Sequence, residues 1–297
     1  MKNDQITAPS QEATPPIGFQ IQPIEMTPSL FRRFQRFAYD HAGIYLKPGK
    51  EALVAARVYK RLRVLGLTTA QDYLRFLEND DSGEEIVKFF DVISTNFTSF
   101  YREPVHFEIL HDWVQRELAA GISRLRLWSV AASTGEEPCS MALTVERARA
   151  MRPLDYRILG TDISMRALEK AYDGLYPAHD MKRIPSRERK GFFRRRIEKG
   201  VTLWEVQEKL RNRIVYRRMN LAKFPYPLKG PLDVIFCRNV MIYFDDRMRR
   251  DLMEELVRLL RPGGVLFTGH AESLNSLRTG LQMLQPSVYV KPNRSSS

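Results

Sequence analysis

Apolar residues first recur along the chain at helical spacing, and from about residue 119 give way to short apolar runs separated by amphipathic stretches. In the first region Thr27 can cap a helix with Pro28 at its first position. Leu30, Phe31, Phe34 and Phe37 or Ala38 then share one face, and Gly43 can close the helix. A second helix is expected from about Lys50 to Leu65 with Gly66 as its stop. A third starts near Thr69 and carries Tyr73, Leu74 and Leu77, and a fourth runs from about Glu84 to Ile93. Residues 26–95 thus predict a helical N-terminal domain, small enough to fold alone only marginally. Residues 1–25 are polar and proline-bearing with no apolar signal core, and predict a disordered tail.

The later region alternates strands and helices. Strands are expected at Leu125–Val130, Arg157–Thr161, Leu232–Arg238, Val265–Gly269 and Val288–Val290. Helices are expected at Pro138–Arg149, Ser164–Tyr172 and Asp246–Leu260. That order predicts an α/β fold with an open, mostly parallel, doubly wound sheet over residues 119–297, its ligand crevice beyond the carboxyl ends of the strands. Residues of about 173–218, dense in Lys and Arg, break the alternation. With short strands at Thr202–Val206 and Ile214–Tyr216 they predict an inserted antiparallel β-subdomain. Residues 96–118 are expected to be a linker that contributes to the active site.

The composition (297 residues, 43% apolar, 28% charged) is that of a soluble globular protein, and no run of about 20 apolar residues suggests a membrane span. Cys139 and Cys237 are too few for a disulfide framework or a thiolate cage, and read as buried inert thiols of a cytosolic protein. The formal charge of +12 favours an acidic partner. Zinc-finger spacing, RNP aromatics and a basic zipper are not found, which argues against a nucleic-acid partner. Arg57, Lys60 and Arg61 lie at i, i+3 and i+4 on one face of the second helix, near Lys47, Lys50 and Arg63. They form either a solvated basic face or a docking face.

Candidate chemistry sits at the expected strand ends. Ala131-Ala132-Ser133-Thr134-Gly135-Glu136-Glu137-Pro138 is a small-residue turn leading into a helix, where ligands approach backbone amides closely. Asp162 closes the second strand, where an acid can accept hydrogen bonds from ribose hydroxyls, while Ser164 remains to cap the next helix. Asn239 ends a later strand, and Tyr243 follows it as either a core or a site residue. Asn96, Thr98 and Arg102 alternate with aromatics between the two domains.

Taken together, these segments resemble the CheR-type chemotaxis-receptor methyltransferase family over residues of about 28–290. TNFTSFYREPVHF resembles its TN-x-T-x-F-F-R-E motif, with Tyr101 in place of the second Phe. WSVAASTGEEPCSMAL resembles its cofactor loop, LGTDIS its ribose-binding strand end, and FCRNVMIYF followed by PGGVLFTGHAESL its late catalytic segment. Four motifs in order are far more specific than any one. The resemblance implies a helical domain, a Rossmann-like S-adenosylmethionine-dependent methyltransferase domain and a β-subdomain inserted in it. It implies methyl-ester formation on glutamate side chains of chemoreceptors, with S-adenosylhomocysteine as the other product, in the cytoplasm beside receptor arrays and with no metal. Asn96, Thr98 and Arg102 would line the methionine end of the cofactor. Glu136 or Glu137 would contact it from the loop, Asp162 would hold the ribose, Asn220 and Leu221 would flank the adenine, and Arg238 and Asn239 the methionine part. Arg102 and Tyr243 would stand nearest the transferred methyl. The acidic helical bundle of such receptors would make Arg57, Lys60 and Arg61 a docking face. Some members grip a receptor's C-terminal peptide through a glycine-rich turn of the insertion. Arg194–Gly200 holds a single glycine here, so that tethering is not carried over.

Two other functions compete. An RNA methyltransferase on the same sheet would explain the charge, but Arg238-Asn239-Val240-Met241 stands where an Asn-Pro-Pro-Tyr tetrapeptide would be expected. A module that binds cofactor without turnover is opposed by the presence of both Arg102 and Tyr243.

Overall fold

The computed structural model describes residues 26–93, 98–274 and 277–293; the tail expected over 1–25 lies outside the described residues. Four helices open the chain: α1 (Pro28–Ala42), α2 (Glu51–Leu65), α3 (Ala70–Glu78) and α4 (Glu84–Ile93). Their ends follow the local chemistry. The Thr27 side chain accepts from the Leu30 amide, and Gly43 closes α1 in the left-handed region (φ 66°). Phe34, Phe37, Tyr73 and Phe89 pack as one aromatic cluster at the centre of this domain.

A buried acid lies inside that core. Glu85 receives two bonds of 2.8 Å from Arg61 and one of 3.0 Å from the Tyr73 hydroxyl. On the face expected for docking by Arg57, Lys60 and Arg61, two of the three have partners within the chain. Arg61 pairs with Glu85 and Arg57 donates to the Ile93 carbonyl, both half-buried, while Lys60 is exposed. Truncating one partner of a buried pair strands the other charge. Arg61→Ala is therefore expected to cost about 3 kcal/mol in urea denaturation. A cost below about 1 kcal/mol would instead place the pair among solvated ion pairs.

The span expected as linker is largely a helix, α5 (Val105–Ala119), whose Phe107, Leu110, Trp113 and Val114 are buried against the next domain. Then follow β1 (Arg124–Ser129), α6 (Glu136–Arg149), β2 (Asp155–Asp162) and α7 (Met165–Asp173). The insertion comprises β3 (Leu175–Pro177), a 3-10 turn at Asp180–Arg183, α8 (Ser186–Phe192), β4 (Phe193–Glu198) and β5 (Val201–Val206). After it come α9 (Glu208–Arg211), β6 (Ile214–Arg218), β7 (Leu232–Cys237), α10 (Asp246–Leu259), β8 (Leu260–Thr268), β9 (Gln282–Gln285) and β10 (Val288–Val290).

The main sheet has the order β6-β2-β1-β7-β8-β10-β9. Five strands from β6 to β8 are parallel, and β10 runs antiparallel to β8. The chain winds outward through β2 and β6 on one side of β1 and through β7 and β8 on the other. The switch point, where ligands bind in such sheets, lies between β1 and β7. The insertion is a three-stranded antiparallel sheet, β3-β5-β4. Ile214–Tyr216 does form a strand, but not in the insertion: β6 pairs parallel with β2, Ile158 opposite Ile214, and buries Ile214 at the sheet edge.

The helical domain closes over the carboxyl ends of the strands. Tyr39 Oη donates to Asp245 (2.9 Å), Asn220 Nδ2 to the His41 carbonyl (2.5 Å) and the Tyr45 amide to the Tyr243 carbonyl (2.8 Å). Gly43 makes the approach possible, since a Cβ there would lie 3.0 Å from Ala222 Cβ. No helix among the described residues is long and apolar enough to cross a membrane.

Candidate active site

A cleft opens at the switch point. Its walls come from the segment after β1 (Val130, Ala131, Ser133), the end of β2 (Asp162), the segment after β6 (Asn220, Leu221) and the segment after β7 (Arg238, Asn239, Val240). Ala42 and Ile44 from the end of α1, and Thr98, Ser99 and Arg102 from the segment before α5, complete it. Thr98, Arg102, Glu137, Asp162, Asn220, Leu221, Arg238, Asn239 and Tyr243 of the expected site residues all line this one cleft. Asn96 lies outside the described residues. Glu136 is not on the cleft wall: its carboxylate accepts both ways from Thr134 Oγ1 (2.9 and 2.7 Å). Successive helix residues point about 100° apart, so one of the two acids had to turn away.

The loop after β1 is held by Asp162. Its Oδ2 accepts from the Ser133 amide (2.8 Å) and its Oδ1 from the Ser164 amide (2.9 Å), while Ser164 itself caps α7. Burial pushes the Asp162 carboxyl up, opposed by those backbone N–H groups. Ser133 stands at a left-handed φ of 48°, and its buried Oγ has no hydrogen-bond partner among the described residues. Gly135 follows at φ 94°, where a Cβ would come within 2.8 Å of the Tyr176 and Tyr216 hydroxyls.

Behind the cleft lies an ion-pair cluster. Arg238, 4% exposed, faces Glu103 and Glu137 at 3.0 Å each, donates to the Arg102 carbonyl (2.5 Å) and stacks over Phe107 and Phe236. Burial works against ionisation of Glu103, but Arg238 beside it wins and holds its carboxyl below the usual range. For Glu137 burial wins over Arg238 and pushes the carboxyl up. Asn239, at φ 58°, donates its amide to Glu272 Oε2 (2.7 Å), and Glu272 also accepts from the Gly269 amide (2.8 Å). Tyr101, Glu103, Ser133 and Asn239 all carry positive φ, so strained backbone concentrates around this cleft.

Glu103 and Glu272 were not foreseen, since nothing in spacing distinguishes them from other acids. Glu103, His106 and His270 also bring ligand atoms within 4.8 Å of one another. The same Glu103 oxygen already faces Arg238, and a cation would have to compete with that guanidinium. Burial, and then Arg238, lower His106 to about 4, so its ring is neutral at physiological pH.

A Rossmann-like sheet with an acid closing β2, a glycine turn before α6 and polar side chains at the switch point defines a class that holds a nucleotide-type cofactor. The family comparison agrees. The model described as CheR methyltransferase, SAM binding domain, matches residues 96–290, and that of the CheR all-alpha domain matches residues 29–94. The chain belongs to the CheR methyltransferase family. It is 37% identical to the chemotaxis protein methyltransferase of Salmonella typhimurium over 268 residues, 90% of this chain and 92% of that one. It is also 37% identical to the Escherichia coli chemotaxis protein methyltransferase over 87% of this chain and 89% of that one. A third relative is chemotaxis protein methyltransferase 2 of Pseudomonas aeruginosa, 37% identical over 88% of this chain and 92% of that one.

Proposed function

We propose that the protein methylates glutamate side-chain carboxylates on the cytoplasmic helical bundle of chemoreceptors, using S-adenosylmethionine. The observation that carries this reading is the meeting of Arg102 and Tyr243 with Glu137 and Asp162 on the wall of one cleft at the switch point. The residues present fit the cofactor. Asp162 faces the cleft as a ribose acceptor, Ser133 Oγ is an unsatisfied polar atom beside it, and Asn220 and Leu221 offer a polar edge and an apolar wall for adenine. Glu137 suits an ammonium group, with Thr98, Arg238 and Asn239 around the methionine part.

S-adenosylmethionine, when bound, supplies a methyl group on sulfonium sulfur, so transfer breaks the S–CH3 bond, forms an O–CH3 bond and leaves S-adenosylhomocysteine and a methyl ester. A glutamate carboxylate is ionised near neutral pH and brings its own nucleophilic oxygen, so no general base is required. The protein's part is placement. In this reading Arg102 orients the incoming carboxylate and Tyr243 donates a hydrogen bond near the methyl.

Radiolabelled cofactor incubated with the protein and receptor-bearing membranes tests the reading. Label on receptors that mild base releases as methanol is the expected result; base-stable label, or label on RNA, would replace glutamate by another acceptor.

Exposed Lys47, Lys50, Lys60 and Arg63 supply the docking charge in this reading, at the receptor array in the cytoplasm. Charge reversal at Lys60 and Arg63 is expected to lower kcat/KM for receptor roughly tenfold at low salt. Binding of S-adenosylhomocysteine, measured by calorimetry, should not change. An unaltered receptor kcat/KM would remove α2 from the docking surface.

A further inference from the structure

The inserted subdomain does more in this fold than decorate the sheet. Three consecutive residues of the segment that precedes Arg102 are each held by it. Arg183, in the 3-10 turn, donates to Ser99 Oγ (3.2 Å). The Phe100 ring, fully buried, meets Tyr176 of β3 edge-on at 4.8 Å and Phe193 of β4 at 5.8 Å. The Tyr101 hydroxyl donates to the buried carboxylate of Glu188 on α8.

The segment needs such restraint. The Arg102 amide bonds back to the Ser99 carbonyl (3.3 Å), closing a tight turn that sets Tyr101 at φ 51°. A bulky side chain adopts that left-handed conformation only when its surroundings impose it. On its inner side the Tyr101 amide donates to Ser140 Oγ on α6 (3.0 Å). On its outer side the restraint is Glu188. The residues flanking this pivot, Ser99 and Arg102, line the cleft. The turn therefore spans two supports, one in the cofactor fold and one in the insertion, with the substrate-orienting arginine next to the pivot.

We propose that Glu188 is a positioning residue for methyl transfer: through the Tyr101 hydroxyl, the inserted subdomain fixes the backbone turn that presents Arg102 to the cleft. The inference rests on the methyl-transfer reading above and deepens it. It also gives meaning to the chain's one departure from the TN-x-T-x-F-F-R-E pattern, because a phenylalanine at 101 has no hydroxyl to give Glu188. Tyrosine and glutamate act as one lock: removing the tyrosine hydroxyl takes a donor from the buried Glu188 carboxylate, and removing Glu188 leaves that hydroxyl only Thr144 as a side-chain neighbour.

A double-mutant cycle on the full chain tests this, with Tyr101→Phe, Glu188→Leu and the pair. Each single variant is expected to lower kcat on receptors about tenfold at saturating cofactor, since displacement of a positioning group by about 1 Å can cost about 100-fold and the loss of one support displaces the turn by less. The receptor KM should stay within about twofold, because docking uses another surface. Glu188→Gln still accepts a bond from the hydroxyl and should retain most of the rate. The double variant should be no slower than the worse single, because both substitutions break one contact. Hydrogen exchange across residues 98–103, about tenfold faster in each single variant, reads the turn with no acceptor present. Parental rates with parental exchange in the single variants, or losses that multiply in the pair, overturn the inference. Should the parent protein transfer no methyl to receptors, the acceptor reading alone has failed, and the exchange comparison still decides whether the insertion holds the turn.

Discussion

Replacing Arg238 by alanine is expected to lower the melting temperature by roughly 10 °C, because breaking a buried ion pair from one side costs about 3–5 kcal/mol. The side chain is 1% exposed and stands between two carboxylates, Glu103 and Glu137, that are themselves largely withdrawn from water. Its removal leaves two like charges facing each other with little solvent to screen them. The deficit should depend on pH, and its sign is fixed by Glu103. In the parent protein Arg238 outweighs burial and keeps that carboxyl below its unfolded value. Glu103 therefore contributes stability above the unfolded carboxylate pKa, lost as pH falls through the lower folded value. Without Arg238, burial, the largest influence on Glu103, raises its carboxyl, opposed by the hydrogen bond from the Asn239 side chain and by His270. The contribution then changes sign: the penalty is present near neutral pH and fades as acidification protonates the site. Thermal melts of parent and variant at pH 7.5 and pH 5 should show a smaller gap at the lower pH. An equal gap at both would assign the loss to the stacking on Phe107 and Phe236 instead of to charge.

What could be read ahead of the structure was set by local chemistry. Helix caps at Thr27 and Ser164, the acid closing β2 and the polar strand end at Asn239 each follow from a few neighbouring residues, and all are found where expected. The failures share a different origin, in partners distant along the chain. Arg61 lies on the predicted face of α2, yet its fate is decided by Glu85 on another helix. Ile214–Tyr216 has a strand's composition, but pairing with β2 in preference to the insertion depends on a register that no local pattern encodes. Strand β9 has no local signal, because Gln282–Gln285 is exposed throughout and shows no apolar alternation. Helix α5 is legible in its spacing, Phe107, Leu110 and Val114 standing on one face, but the polar residues just before it give the span the character of a linker. Glu103 and Glu272, which hold Arg238 and Asn239, are visible as site residues only once the strands bring their partners together.

Replacing Arg102 by alanine is expected to lower kcat by about 10²–10³-fold, the scale on which a preorganised donor at a reacting centre acts. The cleft that must admit a carboxylate is walled by Glu137 and Asp162, which favour a cationic cofactor and repel an anionic substrate. Among the described residues two arginines line it. Arg238 is 1% exposed, whereas Arg102 is half-buried, so an incoming carboxylate reaches Arg102 more readily. Arg102→Lys keeps the charge but not the planar two-pronged geometry, and should recover only part of the rate. Tyr243→Phe removes one hydrogen-bond donor from the cleft and should cost about tenfold. Single-turnover methylation of receptor at saturating cofactor separates these effects from binding. A parental rate in Arg102→Ala would sink the assignment. A loss confined to the cofactor KM would move Arg102 from orienting the substrate to holding the cofactor, and the carboxylate would then need another cationic partner.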